Sequence, residues 1–177
     1  SSDLVDLAAG TAASSDGSIG IDTLIDVENV ITGAGNDNVT GDANANVIDT
    51  GAGTDTVNAG DGDDIITGGA DNDTLNGEGG NDTFILAGGD GDDTISGGAD
   101  TDTLDMTGVT GDVNATYDAT NGAVYSDGTT SATDAAFDVE TVNLGSGDDT
   151  LTVSDAVTPG TTVNFGGGNN SIDTSAY

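Results

Sequence analysis

The chain has 177 residues, 33 of them Asp or Glu, and no Lys, Arg or His, so its formal charge is −33. No basic side chain exists to form a salt bridge, and any compact state must contend with self-repulsion. Leu, Ile, Val and Phe together supply only 35 residues, which places the chain at the compositional boundary for disorder.

At an effective dielectric near 20, two carboxylates ~5 Å apart repel by about 3 kcal/mol. Counterions therefore belong to any folded form. Cysteine is absent, which removes disulfides and thiolate zinc sites. Without His, the remaining ligands are carboxylates and backbone carbonyls, which suit hard cations such as calcium. The acids are 30 Asp against three Glu (Glu28, Glu78, Glu140), a bias toward the short side chain of tight turns and metal loops. So acidic a surface is a very poor partner for nucleic acid, and for an anionic membrane unless a cation bridges the two. No apolar run is long enough to span a bilayer. An enzyme is not expected, because no His, Lys, Cys or Arg exists to serve as base, nucleophile or oxyanion clamp. A chain that begins at Ser1 without Met reads as a mature or excised segment.

In chain order, residues 1–31 read as a strand-rich flank. From Thr32 the sequence repeats with a step of nine, counted on Val39, Ile48, Val57, Ile66, Leu75 and Phe84. Leu86 and Ala87 add two residues, after which Ile95 and Leu104 resume the step. The eight units span 32–105, among them "TGAGTDTVN", "AGDGDDIIT" and "GGADTDTLD". The sixth position is Asp37, Asn46, Asp55, Asp64, Asp73, Asp82, Asp93 and Asp102, and the eighth is always Val, Ile, Leu or Phe. Glycines gather at positions one, two and four. Each unit is expected to be a glycine turn followed by a three-residue strand with one side chain inward. Residues 106–143 break the period; "GDVNATYDA" and "NGAVYSDG" alternate, which predicts two strands around a turn at Asn121 and Gly122. "DVETVNLGSGDDTLTV" at 138–153 then repeats "DVENVITGAGNDNVTG" at 26–41 with an offset of 112, pairing Asp149 with Asp37 and Glu140 with Glu28. Within the final segment, 144–177, "FGGGNNSID" is one more degenerate unit with Asn170 in the Asp position.

The nonapeptide G-G-x-G-x-D-x-U-x resembles the RTX (repeats-in-toxin, haemolysin-type) calcium-binding family. The resemblance implies an all-β fold: a calcium-stabilised parallel β-roll, or β-solenoid, with strand-rich flanking segments. Two units then make one coil, and several calcium ions sit between the glycine turns of successive coils. Carried over by position, one edge holds Asp37, Asp55, Asp73 and Asp93, and the other holds Asn46, Asp64, Asp82 and Asp102. Asp149 is the matching residue of the distant copy. Asn46 lacks the charge, so its site is expected to be weak or empty. The Leu86–Ala87 insertion is expected to bulge the coil and disturb the sites beside it. Asp61, Asp63, Asp90, Asp92 and Asp148 read as solvated charges. Glu28 and Glu140 read as orienting flanking turns, with an end-site cation as their other role. Tyr117 and Tyr125 are expected to pack on the roll.

A glycine turn can aim several carbonyls at one centre, and a carboxylate completes part of the shell at ~2.3–2.6 Å. Neither loop holds the cation alone, so binding and stacking require each other. The expected function is a calcium-binding extracellular structural module of a secreted bacterial protein: an adhesin, a surface layer or a self-assembling fibre. It would associate end to end with itself or with neighbouring modules. The alternative is the carboxy-terminal secretion and folding domain of a type I-secreted enzyme or toxin. A flat ice- or polysaccharide-binding face would need regular Thr or Asn rows, and Thr recurs at positions seven and nine only in some units.

Overall fold

The computed structural model describes residues 3–14, 22–23, 27–118, 122–126, 134–137, 139–153 and 161–174. Among these residues every regular element is a strand, and no helix is long and apolar enough to cross a membrane. The first strands are β1 (Asp3–Asp6), β2 (Thr11–Ser14) and β3 (Asp22–Thr23), followed by β4 (Asn29–Ala34) and β5 (Asn38–Thr40). The repeats supply β6 (Val47–Ala52), β7 (Thr56–Asp61), β8 (Ile65–Ala70), β9 (Thr74–Gly79), β10 (Thr83–Ile85), β11 (Thr94–Ala99) and β12 (Thr103–Asp105). Beyond them lie β13 (Asn114–Asp118), β14 (Gly122–Ser126), β15 (Asp134–Phe137), β16 (Thr141–Asn143), β17 (Thr150–Val153), β18 (Thr162–Asn164) and β19 (Ser171–Asp173).

Through the repeats the chain alternates between two parallel sheets, as a β-roll does. One has seven strands in the order β18-β16-β12-β10-β8-β6-β4. The other has twelve, in the order β19-β17-β13-β14-β15-β11-β9-β7-β5-β1-β2-β3. The eighth residue of every unit faces inward. Ile48 stacks on Ile66, Ile66 on Phe84 and Phe84 on Leu104 in the first sheet. Val39, Val57, Leu75 and Ile95 do the same in the second. All eight are at most 1% exposed. The apolar inventory is small, but nearly all of the repeat's share is spent on this narrow interior.

Most of the roll's strands are longer than the expected three residues. β6, β7, β8, β9 and β11 each run six residues, through the first three positions of the next unit. Glycine makes this extension possible. Gly51 has φ +95° and pairs with Gly33, whose carbonyl a Cβ on Gly51 would strike. Only a residue without a side chain can hold that backbone so close to its neighbour.

The insertion at Leu86 and Ala87 shortens β10 to three residues and buries Leu86 at 2% exposure. Asp90 is not the solvated charge expected of it: it is 4% exposed, and its Oδ2 accepts the Ala87 N–H at 2.8 Å. The anticipated hairpin is β13–β14, but Gly122 already pairs with Asp118 inside it, and Asn121 lies outside the described residues. A third strand, β15, joins β14 antiparallel and returns the chain parallel to β11. Tyr125 is buried at 1% exposure; the side chain of Tyr117 lies outside the described residues.

Candidate metal centres on the two edges

The segments from position one to position six of each unit stack into two edges. The first edge carries the chain from the seven-stranded to the twelve-stranded sheet and holds Asp37, Asp55, Asp73 and Asp93. The second edge carries it back and holds Asn46, Asp64, Asp82 and Asp102. All eight side chains are at most 3% exposed. Inward orientation follows from strand alternation: the sixth, eighth and next first positions share one face.

Each carboxylate is tied to the coil before it through one oxygen. On the first edge the Asp37 N–H donates to Asp55 Oδ1 (2.7 Å), Asp55 to Asp73 (2.8 Å) and Asp73 to Asp93 (2.9 Å). On the second edge Asn46 donates to Asp64 (2.7 Å), Asp64 to Asp82 (2.9 Å) and Asp82 to Asp102 (2.8 Å). The row is unbroken across the Leu86–Ala87 insertion, which only lengthens the first-edge turn. The second oxygen is what matters chemically. Oδ2 of Asp55, Asp64, Asp73, Asp82, Asp102 and Asp149 is buried with no hydrogen-bond partner. Buried carboxylate oxygens without donors are strongly unfavourable unless a cation meets them.

Local shape fits such a cation. A Cβ placed on Gly77 would run into Asp82 Oδ2 and into the Gly97 carbonyl oxygen of the next coil. A Cβ on Gly68 would run into Asp73 Oδ2. The first-position glycine thus leaves a cradle where a carboxylate and a carbonyl from successive coils converge. Both are hard oxygen donors of the kind calcium takes. No group of three or more acidic side chains is clustered among the described residues, so most of any shell must come from backbone carbonyls.

Elsewhere the cradle is closed by the protein itself. The Thr32 hydroxyl donates to the Thr50 carbonyl (2.9 Å), and the Thr50 hydroxyl to the Gly68 carbonyl (2.8 Å). Loop 41–46 satisfies itself: Asn46 Oδ1 accepts the Asp42 N–H (2.9 Å), and Asp42 Oδ1 accepts the Asn44 N–H (2.8 Å).

Burial raises the carboxyl pKa of Asp64, Asp93 and Asp102 to about 6 and that of Asp73 to about 7. The backbone N–H that each accepts opposes the rise, while neighbouring carboxylates add to it. Asp55 and Asp82 are raised by burial in the same way. The Thr50 hydroxyl beside Asp55 opposes the rise there, although its proton is directed at Gly68. Exposed Asp63 is held below the usual carboxylate range by the Asn81 backbone N–H, as Asp42 is by that of Asn44.

The rows continue beyond the nonapeptides. The Asp102 N–H donates to Glu140 Oε2 at 2.8 Å, so Glu140 takes the next place on the second edge. On the first edge the turn 106–113 presents Val113 where an Asp would stand. Its N–H donates to Asp149 Oδ1 (2.9 Å), and the Asp149 N–H to Asn170 Oδ1 (2.8 Å). Glu140's place was concealed because it follows a short turn outside the nine-residue step. The signal that could have found it is its pairing with Glu28 in the two "DVE" copies.

Comparison with known proteins bears on this geometry. The RTX calcium-binding nonapeptide repeat matches residues 16–57, 49–84 and 85–105, in four copies. The matched stretches together cover half of the chain. A search of curated proteins finds no match. With its glycine cradles, stacked aspartates and parallel coils, the chain belongs to the RTX calcium-binding nonapeptide repeat family and is a calcium-binding β-roll.

Proposed function

We propose that this chain is a structural module of a secreted bacterial protein, such as an adhesin, a surface layer or an extracellular fibre, that folds outside the cell on binding several calcium ions. The ligands in this reading are Asp37, Asp55, Asp64, Asp73, Asp82, Asp93, Asp102 and Asp149, each joined by carbonyls of the adjoining turns. Residues 32–105 form the cation-dependent roll, 1–31 and 106–143 its strand-rich flanks, and 144–177 a degenerate continuation. The observation that carries the reading is the set of buried Oδ2 atoms without donors. Calcium reverses the sign of their interaction, from repulsion to shared ligation. RTX repeats bind calcium and are typical of secreted bacterial proteins.

Both ends of the roll favour association. Ile31, on terminal strand β4, is 80% exposed, and Ile172, on terminal strand β19, is 60% exposed. Among the described residues no further strand pairs with the outer edges of β4 and β19, and such edges with apolar side chains are templates for another chain, here a second copy or a neighbouring module. The second reading is a secretion and folding domain of a type I-secreted enzyme or toxin. The raised carboxyl pKa values, which disfavour the ionised fold where calcium is scarce, suit either reading.

A calcium titration followed by circular dichroism, light scattering and electron microscopy separates these readings. Calcium-induced strand signal with polymers supports the surface structure. Strand signal with single particles supports the secretion domain. A full strand signal after thorough chelation would sink both.

A further inference from the structure

We infer that Glu140 is the closing ligand of a further divalent-cation site at the end of the second edge, shared with the buried carboxylate of Asp102 in the preceding coil. The inference rests on the calcium reading above and adds a ligand that lies outside the nonapeptides.

Three observations converge on it. Asp102 is 0% exposed, and its Oδ2 has no hydrogen-bond partner. Glu140 stands in the register place of a sixth-position Asp. Its Oε2 accepts the Asp102 N–H as Asp82 Oδ1 accepts that of Asp64 (2.9 Å). The Thr141 N–H donates to the Asp102 carbonyl (2.9 Å), as Thr103 does to Asp82 (2.8 Å), so the backbone register is also kept. The third observation is the turn itself. By register Ser96 pairs with Phe137 and Thr103 with Thr141, so three residues stand in this coil where the preceding one has six. Glu is longer than Asp by one methylene, and its Oε2 does reach the Asp102 N–H from this shorter coil (2.8 Å). That length restores the reach of the carboxylate and accounts for Glu here in a chain with 30 Asp.

The other copy of the motif sharpens the assignment. Glu28 holds the matching place at the opposite end of the same edge, since its carbonyl accepts the Val47 N–H (2.8 Å). Its neighbour along the edge is Asn46, whose Oδ1 already accepts the Asp42 N–H. Glu28 therefore meets no buried carboxylate in need of a cation, whereas Glu140 does.

The test counts calcium bound per chain, by equilibrium dialysis and elemental analysis, in the wild-type chain and in E140Q, E28Q and E78Q. Gln keeps an oxygen to accept the Asp102 N–H and removes only the charge. E140Q is expected to hold one ion fewer than wild type at matched circular dichroism, and E28Q and E78Q the same number as wild type. An unchanged count in a folded E140Q chain overturns the inference. Should E140Q fail to fold, E140D decides. It keeps the charge but withdraws the carboxylate, and should weaken one ion selectively, by about tenfold; uniform weakening, or none, overturns the assignment. A wild-type chain that bound no calcium would refute the calcium reading itself, a result distinct from an unchanged E140Q.

Discussion

Turns 68–73 and 106–113 lie on the same edge of the roll and are lined by opposite chemistries. The first presents Asp73, inward and 2% exposed, with its Oδ2 where a Cβ on Gly68 would stand. The second presents Met106, Val109 and Val113, each at most 1% exposed. It also closes on itself, with the Val109 N–H donating to the Met106 carbonyl (2.9 Å), and is tied to the next coil by the Ser146 N–H donating to the Val109 carbonyl (3.1 Å). An apolar turn is complete as it stands, because burial alone favours it. A carboxylate turn is incomplete, because burial opposes it until a cation arrives. One edge can thus contain stretches that fold under different conditions.

The largest effect expected from this contrast is that of calcium removal. Chelation should abolish most of the strand signal from residues 47–105. Hydrogen exchange should show the amides of Asp55, Asp64, Asp73 and Asp82 losing protection at higher free calcium than those of Val113 and Ser146. A single uniform loss would break the contrast. Acidification should act in the opposite direction on the metal-free chain. In the fold the carboxyls of Asp64, Asp93 and Asp102 (pKa about 6) and of Asp73 (about 7) hold their protons above the ordinary carboxylate value of 3.8. Between about pH 4 and 7 the folded state therefore binds more protons than the unfolded chain, and its stability falls as pH rises. Metal-free protein should show more strand signal at pH 4.5 than at pH 7.5. Calcium must displace those protons, so its apparent affinity should weaken below about pH 6.

Two substitutions then separate the turns. D73N keeps an oxygen for the Asp55 N–H but removes the buried charge. In calcium it should destabilise by roughly 3 kcal/mol, and without calcium it should stabilise by about 1 kcal/mol. V113A should cost about 2 kcal/mol under both conditions, because a lost apolar contact does not depend on the ion. Thermal unfolding with and without calcium measures both. A D73N effect of the same sign in the two conditions would show that Asp73 ligates nothing.

The carboxylate side of this contrast is legible in the sequence, and the apolar side is not. The nine-residue step placed the eighth-position residues from Val39 to Leu104 inside, while the division of the sixth-position acids between two edges came from the RTX resemblance. Strand length was misread at Gly51 and its equivalents. Glycine signals a turn by itself, yet here it continues the ladder by allowing close backbone approach. Asp90 was misread because an insertion, not the repeat, decides its surroundings. In sequence Glu140 reads as orienting a flanking turn, with an end-site cation as its other role, but its stacking on Asp102 was hidden, as was the place of Val113, for a common reason. Their places are set by which coil they stack on, and that contact spans 36 residues for Val113 and 38 for Glu140, without a local pattern. Strand β15 went unseen because its pairing to β11 is equally remote in sequence.

The smallest expected effect tests whether a hydroxyl can stand in for an ion. Thr50 occupies the first position of its unit, where Gly68 and Gly77 leave a cradle, and bridges to the Gly68 carbonyl at 2.8 Å. T50G should cost the metal-free chain about 1 kcal/mol through the lost hydrogen bond. It also opens the space between Asp55 and Gly68 to a cation, so the loss should shrink or vanish in calcium. Melting temperatures measured with and without calcium give the comparison. An equal loss in both would mean that the hydroxyl is a plain link between coils. The carboxylate of Asp55 would then be served by calcium, if at all, from a direction that Thr50 does not block.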